Sequence, residues 1–218
     1  MNTAMYEHPI TQKSIRDLKQ IGIQIFPTGH GDLACGETGS GRLLEPAEIF
    51  QHITNALAPI NNHKDTGNEN GNGLGKKILI TSGGTQEPID AVRVLTNLST
   101  GKTGARIAEQ MLARGFDVTY LHATTAKMPE IFCRQIPFTS FADIENKIQQ
   151  ILKTENFDAV IHAAAVSDFT NANPFAEKIS SDQDLTIHLK RNPKIVNKLR
   201  AWSKNKNCKI IAFKMTAN

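Results

Sequence analysis

Three short stretches of this chain hold residue types able to grip a phosphate, a sugar or a base. Thr81-Ser82-Gly83-Gly84-Thr85 joins paired glycines, which let backbone N–H groups approach an anion, to hydroxyls that add donors. The same residues equally suit a tight turn after a strand. Gly84 is followed by Thr-Gln-Glu-Pro, so the segment is not the GxGxxG dinucleotide fingerprint, and it lacks the GKS or GKT ending of a P-loop. Ordinary NAD chemistry is therefore disfavoured. Asn97-Leu98-Ser99-Thr100-Gly101-Lys102-Thr103-Gly104 sets hydroxyls, glycines and Lys102 directly before a helical pattern. Free N–H groups there could meet an anion, or Ser99 or Thr100 could simply cap the helix. In His162-Ala163-Ala164-Ala165-Val166-Ser167-Asp168-Phe169 the small residues would let a flat base or sugar lie against the backbone. Asp168 could bind a hydroxyl or a magnesium ion, or serve as a turn residue.

The elements around these stretches alternate. Lys77–Thr81, Asp117–His122, Arg134–Phe138, Asp158–Ala163 and Lys209–Phe213 read as strands. Helices are expected over Gly104–Arg114, over Phe141–Leu152, and from Pro193 through Trp202. This is the pattern of an α/β fold, a Rossmann-like doubly wound parallel sheet in which ligands bind at the carboxyl ends of strands. The first and third stretches follow such ends and the second directly precedes a helix, and all three are expected to close into one pocket. Residues 61–76 contain one aliphatic side chain and many Asn and Gly, as a flexible linker would. Before it, Ile15, Leu18 and Ile21 keep helical spacing after Thr11, and Ile49, Phe50, Ile53 and Leu57 do so after Pro46. Between them, Gly22–Phe26 reads as a strand and Gly29–Gly41 as a glycine-dense loop. Sixty residues so built are thin for an independent core and look like the tail of a larger domain.

Composition narrows the classes. With 39% hydrophobic residues the 218-residue chain can bury a core, and no run approaches the roughly 18 apolar residues of a spanning helix. Cys35, Cys133 and Cys208 are too scattered for a disulfide framework or a metal knuckle, and the N-terminus lacks a secretory build, so a cytoplasmic location is expected. Net charge is +4, with residues 1–60 holding 4 basic and 6 acidic side chains and residues 77–218 holding 19 and 13. From Leu185 to Asn218 there are nine lysines and arginines and no acid. That run could attract a polyanion or could be a solvated helix face.

Taken as text, KILITSGGTQEPIDAVRVLTNLSTGKTGARIAEQMLARGFDVT, followed by IHAAAVSDF, AEKI and RNPKIV, resembles the phosphopantothenoylcysteine synthetase half of the bacterial bifunctional flavoproteins that make coenzyme A precursors. Upstream, MNTAMYEHPITQKSIRDLKQIGIQI with LACGETGSGRL resembles the C-terminal part of the decarboxylase half. The resemblance implies that residues 1–60 are the C-terminal remnant of a flavoprotein-type α/β domain and residues 77–218 a C-terminally incomplete synthetase domain. It also implies ligation of 4′-phosphopantothenate to L-cysteine, driven by CTP and Mg2+ through an acyl-cytidylate.

By that similarity Asn97 would hold the acyl-cytidylate. His162, Ala163, Ala164, Asp168, Lys178, Pro193, Lys194, Ile195, Val196 and Phe213 match nucleotide-binding positions, with Asp168 the metal candidate. Gly83, Gly84, Thr85, Ser99 and Gly101 join them from the strand-end motifs. Lys194 departs from the family, standing where an acid usually follows Asn-Pro, and Ser180 and Ser181 replace lysines. In the decarboxylase half, FMN would oxidise the cysteinyl moiety, Cys35 would protonate the enethiolate, and Asn2 would orient the substrate carboxylate. The family's flavin-binding region lies before the Met1-Asn2 motif, so this polypeptide alone is expected not to decarboxylate. A homo-oligomer is implied (a synthetase dimer, a decarboxylase trimer), with no membrane and no specific nucleic acid. Two other readings compete: a noncatalytic nucleotide-binding fragment, and nucleic-acid binding through the basic tail.

Overall fold

The computed structural model describes residues 2–33, 36–57, 75–180, 182 and 184–214. They fall into two compact units, residues 1–55 with 213–218 and residues 56–212.

In the first unit, α1 (Thr3–Glu7) is capped by Asn2, whose Oδ1 accepts the Met5 N–H at 2.9 Å. Helix α2 (Pro9–Gln20) starts earlier than the expected Thr11. Pro9 supplies the fixed φ of a first helical residue, and His8 Nδ1 accepts from Ile10 N. The expected strand at Gly22–Phe26 is absent. Gly22 turns the chain at φ +85° and the residues after it have no ladder. The glycine-dense segment expected as loop instead pairs with itself, β1 (Gly29–Asp32) running antiparallel to β2 (Thr38–Arg42). Backbone hydrogen bonds make that ladder, so poverty in side chains does not prevent it. Helix α3 (Pro46–Leu57) buries Ile49, Phe50 and Ile53, as its spacing requires. Most of the expected linker, residues 61–74, lies outside the described residues.

The second unit contains β3 (Lys77–Ser82), β4 (Gln86–Pro88), β5 (Val94–Thr96), α4 (Lys102–Ala113), β6 (Asp117–Ala123), β7 (Arg134–Phe138), α5 (Phe141–Thr154), β8 (Ala159–His162), β9 (Phe169–Asn171), β10 (Leu189–Arg191), α6 (Val196–Trp202) and β11 (Lys209–Ala212). Five strands form one sheet in the order β11-β8-β3-β6-β7, every pair parallel. This is the doubly wound order expected from the alternation. The chain leaves β3 toward β6 on one side and returns through β8 on the other, and that reversal opens a crevice at the carboxyl ends of β3 and β8.

Alternation along the strands sets the two faces. Leu79, Leu121 and Val160 join Ile144, Ile148 and Leu152 of α5 and Leu199 of α6 in one buried cluster. Ile78 and Ile80 turn the other way, toward the face where α4 buries Ile107, Ala108 and Met111. Each such side chain contributes about 1.5–3 kcal/mol by leaving water, enough to fix the strand ends as a rigid platform.

Two helix starts differ from expectation. Neither Ser99 nor Thr100 caps α4. Gly101 does, at φ +72°, because a Cβ there would lie 2.8 Å from Ala126 Cβ and 3.0 Å from Ser82 Oγ. Close packing under the sheet, rather than a capping hydroxyl, decides where α4 begins. Pro193 does not open α6. A turn closed by Asn197 N donating to Lys194 O and Lys198 N to Ile195 O precedes it, and the helix runs from Val196. The two antiparallel pairs, β4 with β5 and β9 with β10, were not legible as strands; each is three residues long and mostly exposed.

Candidate functional site at the carboxyl ends of β3 and β8

The three strand-end stretches meet at Ala165. Its N–H donates to Gly83 O at 2.8 Å, and its carbonyl accepts from Thr85 N at 3.3 Å and from Asn97 Nδ2 at 3.0 Å. Gly84 bridges to Ala165 as an extension of the parallel ladder. Both glycines are buried, and each is required sterically. Gly83 adopts φ +86° with its Cβ position 2.7 Å from the methyls of Ala123 and Ala126, while a Cβ on Gly84 would lie 2.7 Å from Asn97 O. The site floor is therefore backbone and methyl groups, and the Asn97 amide is held on it by a defined bond.

Hydroxyls lock the neighbouring strand ends. Thr81 Oγ1 accepts Ala164 N–H at 3.2 Å and pairs with His162 Nδ1 at 2.8 Å, and Ala163 N donates to Thr81 O. Thr85 Oγ1 accepts from Ser167 N at 2.9 Å, and Thr96 Oγ1 donates to Thr85 O at 2.8 Å. His162 is 9% exposed, and burial lowers its pKa to about 4. It is neutral at physiological pH and can hold an orienting hydrogen bond without adding charge.

An open cleft of about 510 Å³ lies beside this junction. Asn97, Ser99 and Lys102 line it with Gln86, Thr96, Thr100, Thr125 and Lys127, and no lining residue is acidic. Leu98 and Ala126 complete a largely apolar lining, over which the two lysines supply positive charge for a phosphate-bearing ligand. Lys127 is set in place by its backbone: its N–H donates to Thr100 O at 2.9 Å and its carbonyl accepts from Tyr120 Oη at 2.9 Å. Neither Lys127 nor Gln86 nor Thr125 was singled out from sequence. Lys127 follows the end of β6, so the strand-end rule that flagged the other stretches applies to it as well.

Asp168 does not line this cleft. It is exposed, three residues beyond Ala165, and ion-paired with Lys194. Its backbone oxygen accepts from Asn192 N, and Asn192 also bonds Ser167 O and Thr170 Oγ1, which anchors the turn bearing Pro193 and Lys194. Among the described residues no three His, Cys, Asp or Glu side chains gather into an all-protein metal cage, and Asp168, the magnesium candidate, is paired with the Lys194 ammonium; a magnesium ion there would be held by this one carboxylate together with a ligand's phosphates. Ile195 places its side chain in the core, leaving only its backbone to a ligand, whereas Pro193 and Val196 are exposed. Lys178 is exposed, and Phe213 clusters with the first unit.

In the first unit the two decarboxylase-half candidates, Asn2 and Cys35, form no site among the described residues. Neither α1 nor α2 has a buried residue, and the one tight glycine contact, Gly39, is filled by this chain's own Thr3. Asn2 uses its carbonyl oxygen as a helix cap. Cys35 lies outside the described residues. Part of the basic run is engaged within the chain: Lys194 and Lys198 pair with Asp168 and Glu145, and Arg200, Lys204 and Lys206 donate to backbone carbonyls, while most of its side chains stay exposed.

Comparison with known proteins agrees with this arrangement. Residues 1–58 match the flavoprotein family and residues 74–218 the DNA/pantothenate metabolism flavoprotein C-terminal domain. The chain is 32% identical to the coenzyme A biosynthesis bifunctional protein CoaBC of Thermococcus kodakarensis, over 92% of its own length and 45% of that protein. It is 40% identical to the CoaBC protein of Methanocaldococcus jannaschii, over 84% of its length and 41% of that protein. It thus spans less than half of either relative. A solved Cab2 mutant in complex with phosphopantothenate-cysteine superposes with a TM-score of 0.58 at 25% identity, covering 66% of this chain and 65% of that one. The sheet order, the strand-end junction and the match over 74–218 together place this chain in the DNA/pantothenate metabolism flavoprotein C-terminal domain family.

Proposed function

We propose that the second unit belongs to a phosphopantothenate–cysteine ligase, an enzyme of coenzyme A biosynthesis that joins 4′-phosphopantothenate to L-cysteine at the expense of CTP. The observation that carries this reading is the Asn97 amide, fixed by Ala165 O where the three strand-end segments converge, beside a cleft with two lysines and no acid. In the reaction, the pantothenate carboxylate attacks the α-phosphate and pyrophosphate leaves. The cysteine amine then attacks the acyl carbon and releases CMP. The task of the protein is to align the attack and offset phosphate charge. Lys102 and Lys127 supply positive charge, Ser99 and Thr100 supply donors, and Asn97 contacts the anhydride without adding a nucleophile. Lys178 and the backbone at Ala163, Ala164 and Ile195 would hold the nucleotide.

Asp168 would hold a magnesium ion on the nucleotide's phosphates, and no step is routed through that ion or through FMN. A soluble homo-oligomer in the cytoplasm is part of the same proposal. The test is pyrophosphate release from CTP, measured with and without 4′-phosphopantothenate. Release only when both are present supports the ligase.

The second reading, a nucleotide-binding chain without turnover, is favoured by Lys194 occupying Asp168. It predicts a CTP-dependent rise in melting temperature with no pyrophosphate.

A further inference from the structure

The tip of the β4–β5 hairpin holds a carboxylate that the chemistry above does not use. Asp90 is 5% exposed, and its two oxygens take four donors. Oδ1 accepts from Val92 N at 2.8 Å and Arg93 N at 2.7 Å, which closes the hairpin turn. Oδ2 accepts from Arg93 Nη1 at 2.9 Å and from Ile179 N at 3.2 Å, across 89 residues of sequence. Arg93 Nη1 also reaches Ile179 O at 3.4 Å. A second tie, from Phe175 N to Ile89 O at 3.0 Å, fixes the same segment four residues earlier. Lys178 lies between the two ties, with its side chain exposed and making no ion pair among the described residues.

A turn needs only the first pair of donors. The second oxygen of this buried carboxylate is satisfied by the Arg93 guanidinium and, outside the hairpin, by the Ile179 N–H beside Lys178.

We propose that Asp90 and Arg93 are positioning residues that clamp the 175–179 segment and thereby present Lys178 to the phosphates of a bound nucleotide. The clamp is a property of the free protein, while its purpose rests on the ligase reading above. Lys178 has a flexible four-carbon stem, so the clamp restricts where its charge can reach rather than touching the ligand itself.

Two variants separate the turn from the clamp. Asp90→Ser keeps a hydroxyl able to close the hairpin but lacks the second oxygen that reaches Ile179. Asp90→Asn keeps the size but presents an N–H₂ to the Ile179 N–H. Hydrogen exchange on the whole chain, without ligand, is expected to show the Ile179 amide exchanging at least about tenfold faster in both variants, with the β3 amides unchanged. Unchanged exchange at Ile179 overturns the clamp whatever the chain binds.

For the purpose, CTP affinity is measured by titration calorimetry in wild type, Asp90→Ser, Lys178→Ala and the double variant. Asp90→Ser is expected to weaken CTP binding about tenfold, the scale of one charge-assisted hydrogen bond, and to add nothing once Lys178 is alanine. Additive losses overturn the role assigned to Lys178. If the wild type binds no CTP, the nucleotide reading fails and the presentation role fails with it, while the exchange measurement still decides the clamp.

Discussion

Protonating His162 should cost the second unit a definite amount of stability, and the amount follows from its surroundings. The imidazole sits at the end of β8, bonded to Thr81 Oγ1 at 2.8 Å, and burial lowers its pKa from 6.5 to about 4. In the unfolded chain the ring keeps its ordinary value and takes up a proton as pH falls through 6.5, while the folded ring stays neutral until about 4. The unfolded state therefore binds more protons between these limits, and stability falls as the solution is acidified through that window. At about 1.4 kcal/mol per tenfold change in proton activity the full loss is roughly 3 kcal/mol, with about 2 kcal/mol gone by about pH 5. Urea unfolding of wild type and His162→Gln at neutral and mildly acidic pH isolates this group, since glutamine does not titrate and other groups cancel in the difference. With a slope of about 2 kcal/mol per molar urea, the wild-type midpoint should fall by about 1 M more than that of the variant. Equal losses in the two proteins would refute the reasoning and place the ring in a wetter site than its 9% exposure implies.

The remaining expectations concern the floor, the cleft and the loop beyond it. Gly83→Ala forces a methyl into 2.7 Å contacts at a φ of +86°, and thermal denaturation should record a loss of about 2–4 kcal/mol. Lys102→Ala and Lys127→Ala should each weaken CTP binding roughly fivefold and flatten its salt dependence, as calorimetric titration at low and physiological salt would reveal. Tyr120→Phe removes the bond to Lys127 O and should cost about 1 kcal/mol in chemical denaturation. Lys194→Ala should leave the melting temperature within about 2 °C of wild type, because the pair with Asp168 is more than half exposed on both sides.

Much of this architecture is written in hydrophobic period. KILIT, DVTYLH and AVIH are apolar on both faces, as parallel strands covered by helices must be, and Phe141, Ile144, Ile148 and Ile151 mark the buried side of α5 without ambiguity. Glycine pairs after strands located the convergence at Gly83 and Gly84. What sequence did not disclose depends on partners distant along the chain. The ladder from Gly29 to Arg42 exists because two glycine-rich segments face each other, and Gly22–Phe26 is not a strand because it has no ladder partner among the described residues. Ala165 carried no chemical signal, since its contribution is entirely backbone. Asp90 looked like an ordinary turn residue, and its second oxygen became informative only when Ile179 was found against it. The Asp168 side chain proved to be engaged by Lys194, one of the residues that depart from the family's pattern.

The methyl-to-backbone contacts beneath Gly83 have a consequence for how such a site can diversify. A wall in which glycine meets two alanines cannot recede or swell by a single carbon without moving a strand, so it is closed to gradual change. The opposite lip, from Val94 to Thr100, is largely solvent-facing, so that apart from Thr96 and Asn97, which are tied down by hydrogen bonds, its side chains have room to change size. Descendants of this scaffold that take bulkier or differently charged molecules should therefore differ along that lip and keep the small residues underneath.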